Sequence, residues 1–310
     1  METTTLSTRD LAKLLDLNVS TVKRWADGGE LPCMRTPGGH RRFCLEDVHG
    51  FLAKRGISPR SLAPIIDADE QEHRLEGAIL HRHWQWLQDH LVALALDGQV
   101  RRVTRLFTAM YLAGIHPAEL CDELVSPAMA RIGHQWAINQ LTIADEHLAT
   151  HTIAASLAEM STRWPAQHEV SFRALCGCIA PDMHELACLC LSQVLQFEGW
   201  QVSVIGANTP ADALIAAAER LRPNLICVSA TIIPDLVSFR TDLRRVAHVA
   251  RGMDSVLAVG GSAVVSQDVA CSDFAEVLRD MGALVEFARQ QFILQPHPLP
   301  RAVFHPELPP

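Results

Sequence analysis

The chain has 310 residues, of which 48% are apolar, 20% charged and 5% aromatic, with a formal net charge of −8. This supplies packed cores for two or three domains of roughly 100–200 residues each and excludes a disordered chain or a charged tail protein. No apolar run reaches the roughly 18 residues of a membrane-spanning helix, and METTTLSTRD has no basic region leading into an apolar core, so a soluble cytoplasmic protein is expected.

The charge is uneven. Residues 1–60 hold ten Lys/Arg and seven Asp/Glu, a net of +3, whereas the remaining 250 carry −11. A small basic module on an acidic body can dock on nucleic acid while the rest stays in solvent. In LSTRDLAKLLDLN, Ser7 and Asp10 have capping spacing, and Leu11, Leu14 and Leu15 form an apolar stripe that predicts a first helix. Asn18 and Ser20 offer caps for TVKRWADGG, where Val22 and Trp25 share an inward face while Thr21, Lys23 and Arg24 face outward, and Gly28-Gly29 ends the helix. Two short helices so tightly joined form a helix-turn-helix. Pro37-Gly38-Gly39 then marks a turn between short extended pieces, and Leu45–Lys54 reads as another helix. Trp25 and Phe43 belong to the core of this module.

The pattern breaks through ISPRSLAPIIDADEQ, a linker. From about 72 to 165 it is helical, with four strong pieces: HRHWQWLQDHLVALALDG, VRRVTRLFTAMYLAG, PAELCDELVSPAMARIGHQWAIN and TIADEHLATHTIAASLAEM. Four helices with short joints fit a bundle.

From about Glu169, short apolar runs alternate with helices. VSFRALCGCIA, QVSVIG, NLICVSAT and SVLAVGG read as strands, with a weaker fifth at ALVEFA; helical periodicity lies between them. This predicts a parallel α/β sheet whose ligands sit at the carboxyl ends of its strands, near the topological switch. QFILQPHPLPRAVFHPELPP is a proline-rich, irregular tail. Nine cysteines, including the pairs Cys176/Cys178 and Cys188/Cys190, form no recognisable disulfide framework.

Three sets of residues carry chemistry. In the first module, Thr21, Lys23 and Arg24 stand on the helix that enters a major groove, and Arg35, His40, Arg41 and Arg42 flank a glycine turn able to approach phosphates. In CIAPDMHELACLC, Asp182 and His184 follow the first strand, a position open to a surface or capping histidine, a metal ligand or a base; a carboxylate commonly steers such an imidazole through its other nitrogen. In RIGHQWAINQLTIADEHLATHTI, Trp136 precedes Glu146-His147 by a nine-residue gap, and His147 and His151 form an i,i+4 pair that reads as an ordinary helical pair or a metal-binding one.

Residues 6–55, with RTPGGHRRF as a wing and LAKLLDLNVSTVKRWADGGELP as the opening helices, resemble the winged helix-turn-helix of the MerR family of transcriptional regulators. That resemblance implies dimeric binding to double-stranded operator DNA, groove contact through Thr21, Lys23 and Arg24, and backbone contact through Arg35, His40, Arg41 and Arg42. Asp182-x-His184-x-x-Ala187 is similar to the Asp/Glu-x-His-x-x-Gly signature of cobalamin-binding domains, with Ser229-Ala230-Thr231 and Gly260-Gly261 after the third and fourth strands as in that family. This implies that His184 replaces the lower base on cobalt and that the displaced nucleotide tail lies near Ser229, Gly260 and Gly261. Ala187 stands where the family generally has glycine, a change that is costly if the backbone there needs positive φ.

The Trp-x9-Glu-His spacing resembles the helical bundle of cobalamin-dependent light-sensing transcriptional regulators, which share this domain order. It implies that Trp136, Glu146 and His147 line the space around the upper ligand of adenosylcobalamin. Some members have His directly after the Trp; Ala137 stands here, so His134, His147 or water would take the upper position after illumination.

The expected architecture is multidomain, α and α/β: a winged helix-turn-helix over 1–58, a four-helix bundle over 72–167, a flavodoxin-like cobalamin-binding domain over 168–290 and a tail over 291–310. The expected function is a homo-oligomeric repressor, not an enzyme and not bound to membrane, in which light alters assembly and DNA affinity. The alternatives are a light-independent sensor of cobalamin or another tetrapyrrole, a corrinoid-dependent methyl-transfer protein, and a transcription factor whose sensory domain is empty.

Overall fold

A computed structural model describes residues 5–14, 17–36, 38–55, 70–161 and 172–292. Pro37, Leu15, most of the expected linker and the tail beyond Phe292 lie outside the described residues. Of those described, residues up to 116 together with 123–161 form one compact unit, and 117–122 with 172–292 form a second.

The amino-terminal module runs β1 (Thr5–Ser7), α1 (Thr8–Leu14), α2 (Val19–Asp27), β2 (Met34–Arg35), β3 (Arg41–Cys44) and α3 (Leu45–Arg55). Asn18 caps α2, its carboxamide oxygen accepting from the Ser20 amide at 3.1 Å, and Gly29 at φ +71° lets the chain leave the helix. Leu11, Val22, Trp25, Leu31, Phe43 and Phe51 form the core, as the inward stripe predicted for α2 requires. The three strands pair antiparallel in the order β1-β3-β2. Strand β1 was not expected: Ser7, read as a cap, closes this strand opposite Arg42. Three residues are too few to show a period of two.

The helical region begins with α4 (Glu70–Leu80), ahead of the four strong pieces, followed by α5 (Trp84–Leu96), α6 (Val100–Leu112), α7 (Pro117–Leu120), a π turn (Cys121–Val125), α8 (Ser126–Ala137) and α9 (Ile143–Ser161). The third predicted helix is thus divided. Pro127, in the first turn of α8, has no N–H for the ladder, and the wider π turn precedes it. Helix α9 packs on α5, α6 and α8. Its buried Thr152 and Ser156 hydroxyls donate to carbonyls one turn back, at 2.7 and 2.8 Å, so small polar residues pack between helices without orphaned hydrogen bonds.

The second unit carries β4 (Arg173–Ile179), α10 (Leu186–Phe197), β5 (Gln201–Thr209), α11 (Ala211–Leu221), β6 (Leu225–Ser229), α12 (Leu236–Gly252), β7 (Val256–Gly260), α13 (Ser262–Ser266), β8 (Glu276–Leu278) and α14 (Met281–Phe292). All pairings are parallel, in the order β5-β4-β6-β7-β8. The four strong strand predictions match β4 to β7. The fifth needs correction: ALVEFA lies inside α14, and the last strand is Glu276–Leu278. Leu284, Val285 and Ala288 are buried at helical spacing, while the Asp122 carboxylate accepts from the Met281 and Gly282 amides at 2.9 Å each, satisfying the helix start. A six-residue apolar run does not by itself distinguish a strand from a buried helix.

Candidate functional site

The chain leaves β4 toward β5 on one side of the sheet and reaches β6 on the other, so the switch point lies between the carboxyl ends of β4 and β6. Asp182, 2% exposed, occupies it. Its Oδ1 accepts from the His184 amide at 3.0 Å and lies 2.8 Å from His184 Nδ1. Its Oδ2 accepts from the Thr231 amide at 2.5 Å and the Ile232 amide at 3.3 Å. A carboxylate only accepts, so Nδ1 carries a proton, and in the neutral imidazole the lone pair lies on Nε2. The His184 side chain is 48% exposed, leaving that lone pair available to a ligand. Behind it, the Cys178 thiol donates to the His184 carbonyl at 3.4 Å and lies 3.3 Å from Cys188 Sγ. The Cys178 contact and burial push the Cys188 thiol well up, so it packs as a neutral group.

Large apolar side chains stand exposed at the same end of the sheet: Met183 beside His184, Ile232 in the loop after β6, and Leu236 and Val237 in the first turn of α12. Water around them is unfavourable, and a broad ligand with an apolar face suits the rim. The donor set likewise fits a corrin, because one pre-oriented imidazole completes a metal that the ligand already encloses. Among the described residues no cluster of three or more His, Cys, Asp or Glu side chains is arranged to hold a bare metal ion, so His147 and His151 lack the third ligand of such a site.

Ser229 is buried at the end of β6, in register with Gly260. A Cβ on Gly260 would lie 2.8 Å from the Leu278 carbonyl oxygen, and one on Gly261, at φ +106°, only 2.3 Å from that of Ala230. The glycine pair is therefore needed by the protein's own backbone, where the Ala230 amide donates to the Gly260 carbonyl at 2.9 Å and the Ala263 amide to the Ala230 carbonyl at 3.1 Å. Gly261→Ala is expected to destabilise the protein by about 2–4 kcal/mol from left-handed strain plus overpacking, read as a lowered denaturation midpoint. Ala187, by contrast, lies in the first turn of α10 and is absent from the positive-φ positions, so its methyl carries no such strain.

The residues predicted in the helical region lie in the first unit. Trp136, near the end of α8, is 48% exposed, and Ile138, Ile143 and Leu148 are also exposed around the α8–α9 turn. Glu146 accepts from Thr150 Oγ1 at 2.8 Å, and its other oxygen lies 3.6 Å from His147 Nε2. Trp136 is thus not the bundle core residue that a structural role would make it.

On the amino-terminal module, Lys23 and Arg24 project from α2 into solvent, Thr21 is half-buried, and Arg35 and His40 are exposed on the wing. Arg41 and Arg42 are half-buried on β3. Arg41 donates to Asp27 at the end of α2, and Arg35 Nη2 lies 3.3 Å from the same oxygen. The Arg41 hydrogen bond chiefly holds the Asp27 carboxyl below the usual range. Neither Asp27 nor the tie from Asp182 to Thr231 was found from sequence. Both join residues on different elements, and no local spacing signals them.

Three domain families match the chain: a helix-turn-helix domain over 5–56 and B12-binding domains over 87–160 and 172–278. The HTH-type transcriptional repressor CarH of Myxococcus xanthus is 25% identical over 278 residues, 85% of this chain and 91% of that protein. CarA, named as a repressor of the same type from the same organism, is 26% identical across 73% of this chain and 76% of its own length. The monomethylamine corrinoid protein of Methanosarcina barkeri superposes with a TM-score of 0.52 at 12% identity, covering 67% of this chain and 99% of that one, a likeness of fold alone. The chain is thus similar to CarH and CarA along most of its length and carries matches to a helix-turn-helix domain and two B12-binding domains; both relatives are named as transcriptional repressors. No helix among the described residues is long and apolar enough to cross a membrane.

Proposed function

We propose that this protein is a cytoplasmic transcriptional repressor that binds operator DNA through residues 1–58 and senses light through adenosylcobalamin held by residues 72–290. The observation that carries the reading is His184 at the switch point, fixed through Nδ1 by a buried Asp182 with Nε2 free. In this reading 72–167 acts as a four-helix bundle and 168–290 as a flavodoxin-like domain; the strand order is the flavodoxin one.

His184 Nε2 would hold the cobalt from below, with Asp182 setting the tautomer. Ser229 and the Gly260-Gly261 turn would border the nucleotide tail, and Trp136, Glu146 and His147 would enclose the upper ligand. Adenosylcobalamin, when bound, supplies a light-labile cobalt–carbon bond. In darkness the bound adenosyl group would give Trp136 an apolar partner and favour an oligomer whose several DNA-binding modules gain affinity through effective concentration. In light Trp136 would lose that partner and the oligomer would weaken. On DNA, Thr21, Lys23 and Arg24 would face the groove and Arg35, His40, Arg41 and Arg42 the backbone, with Arg41 also bonding Asp27.

The test is the full chain, purified in darkness from cobalamin-supplied cells, with its absorption spectrum, mass and DNA retention measured before and after illumination. A corrinoid spectrum that changes with light, together with loss of assembly and DNA, is the expected result. Cobalamin-dependent DNA binding indifferent to light would leave the light-independent sensor, and a protein that takes up no cobalamin would overturn the reading.

A further inference from the structure

Asp27 is an acid where two physical arguments disfavour one. It closes α2, so its charge meets the negative end of the helix dipole. It also lies among the cations assigned to DNA, where a carboxylate repels phosphates. Its partners explain its presence.

Strand β2 has only two residues, and its last pair sets Arg35 directly across from Arg41. Like charges directly opposite on an antiparallel pair repel, and so short a ladder has little with which to oppose them. Asp27 Oδ1 receives both guanidinium groups. The two arginines occupy it unequally. The Arg41 side chain is 17% exposed and its Nε is buried without a partner, so its charge is committed to Asp27; Arg35 is 60% exposed at a looser 3.3 Å. Lys23, one turn back on α2, also acts on this carboxyl.

We propose that Asp27 is the positioning residue of the DNA-binding module: by bridging Arg41 and Arg35 it clamps both wing strands to the end of α2 and so fixes the wing relative to the groove-reading helix. The proposal rests on the DNA-binding reading above. Arg41 then acts as a brace, while Arg35 can pass from Asp27 to a phosphate.

The clamp makes a prediction that a nearby charge or a fold-stabilising contact does not. Asp27→Asn keeps the shape of the side chain and removes its charge. Without the clamp the wing loses its fixed orientation, yet the module gains positive charge, so non-specific and specific binding move in opposite directions.

The experiment uses the full chain, kept dark and cobalamin-loaded, with two probes: the duplex the wild type recovers from a randomised pool, and calf-thymus DNA. D27N is expected to hold calf-thymus DNA as tightly as wild type or more so, with a salt slope steeper by about one phosphate contact. Its affinity for the selected duplex should fall about 10-fold, reducing the specificity ratio by at least that factor, the scale of one lost positional contact. Asp27→Glu, which can still reach both arginines, should restore most of the ratio. An unchanged ratio in D27N, or equal behaviour of D27N and D27E, overturns the clamp. Parallel loss on both probes with a lowered unfolding midpoint assigns Asp27 to fold stability and also overturns it. A wild type that recovers no duplex overturns the DNA-binding reading, and this proposal with it.

Discussion

His184→Ala is expected to abolish the absorption signature of histidine-ligated cobalamin and to weaken cobalamin binding by at least 10–100-fold, roughly the loss caused by altering only the group behind a metal ligand. The side chain is half exposed and its hydrogen bond runs to Asp182, whose Oδ2 is held independently by the Thr231 and Ile232 amides. The loop therefore keeps its tie to the β6 end when the imidazole is removed, and the fold should survive. Spectra of the loaded variant and a cobalamin titration check the result, with circular dichroism confirming the fold. Wild-type spectra and affinity in H184A would reject His184 as the lower ligand.

Trp136→Ala is expected to separate cofactor binding from its readout. The indole is 48% exposed, so truncation leaves no cavity in the first unit, and its unfolding midpoint should move within the range of surface changes, about 0.5 kcal/mol. Cobalamin spectra should still report His184 ligation. Dark assembly and operator binding should weaken by about 10–100-fold, because covering a large apolar side chain contributes roughly 1.5–3 kcal/mol and tenfold corresponds to about 1.4. The difference between dark and light should shrink accordingly. Mass and DNA titrations in both conditions check this, and a loaded W136A protein with an unchanged light response would defeat the coupling.

The two results would separate the proposed lower site, legible in one short motif, from the proposed upper site, whose members come from two helices. Asp182 and His184 lie two residues apart, so one loop places them together. Trp136 and Glu146-His147 are divided by a turn, with Trp136 near the end of α8 and the pair in the first turns of α9. The motif could name these residues but not say which stand exposed. Burial depends on neighbours, and the exposure of Ile138, Ile143 and Leu148 beside the same turn is what distinguishes Trp136 from a core tryptophan.

Periodicity is set by side chains three, four or two residues apart, and such short-range regularity is complete in the chain itself. It determined the helices α1 to α3, α5, α6 and α9 to α12, the inward pair Val22 and Trp25, and the strands β4 to β7. It failed where an element is too short to repeat, as in β1 and β8, and where an apolar run suits two structures, as in α14. Only the tertiary structure decided the contacts between distant segments: Asp182 with Thr231, Asp122 at the start of α14, Glu198 with Arg289, and Asp27 between the two wing arginines. Each is a hydrogen bond or charge pair whose partners are separated in sequence, and its geometry exists only once the strands have taken their order and register. Gly261 shows the same division, since its presence after a strand is visible in the sequence while the Ala230 backbone that demands it is brought there by the β6–β7 pairing.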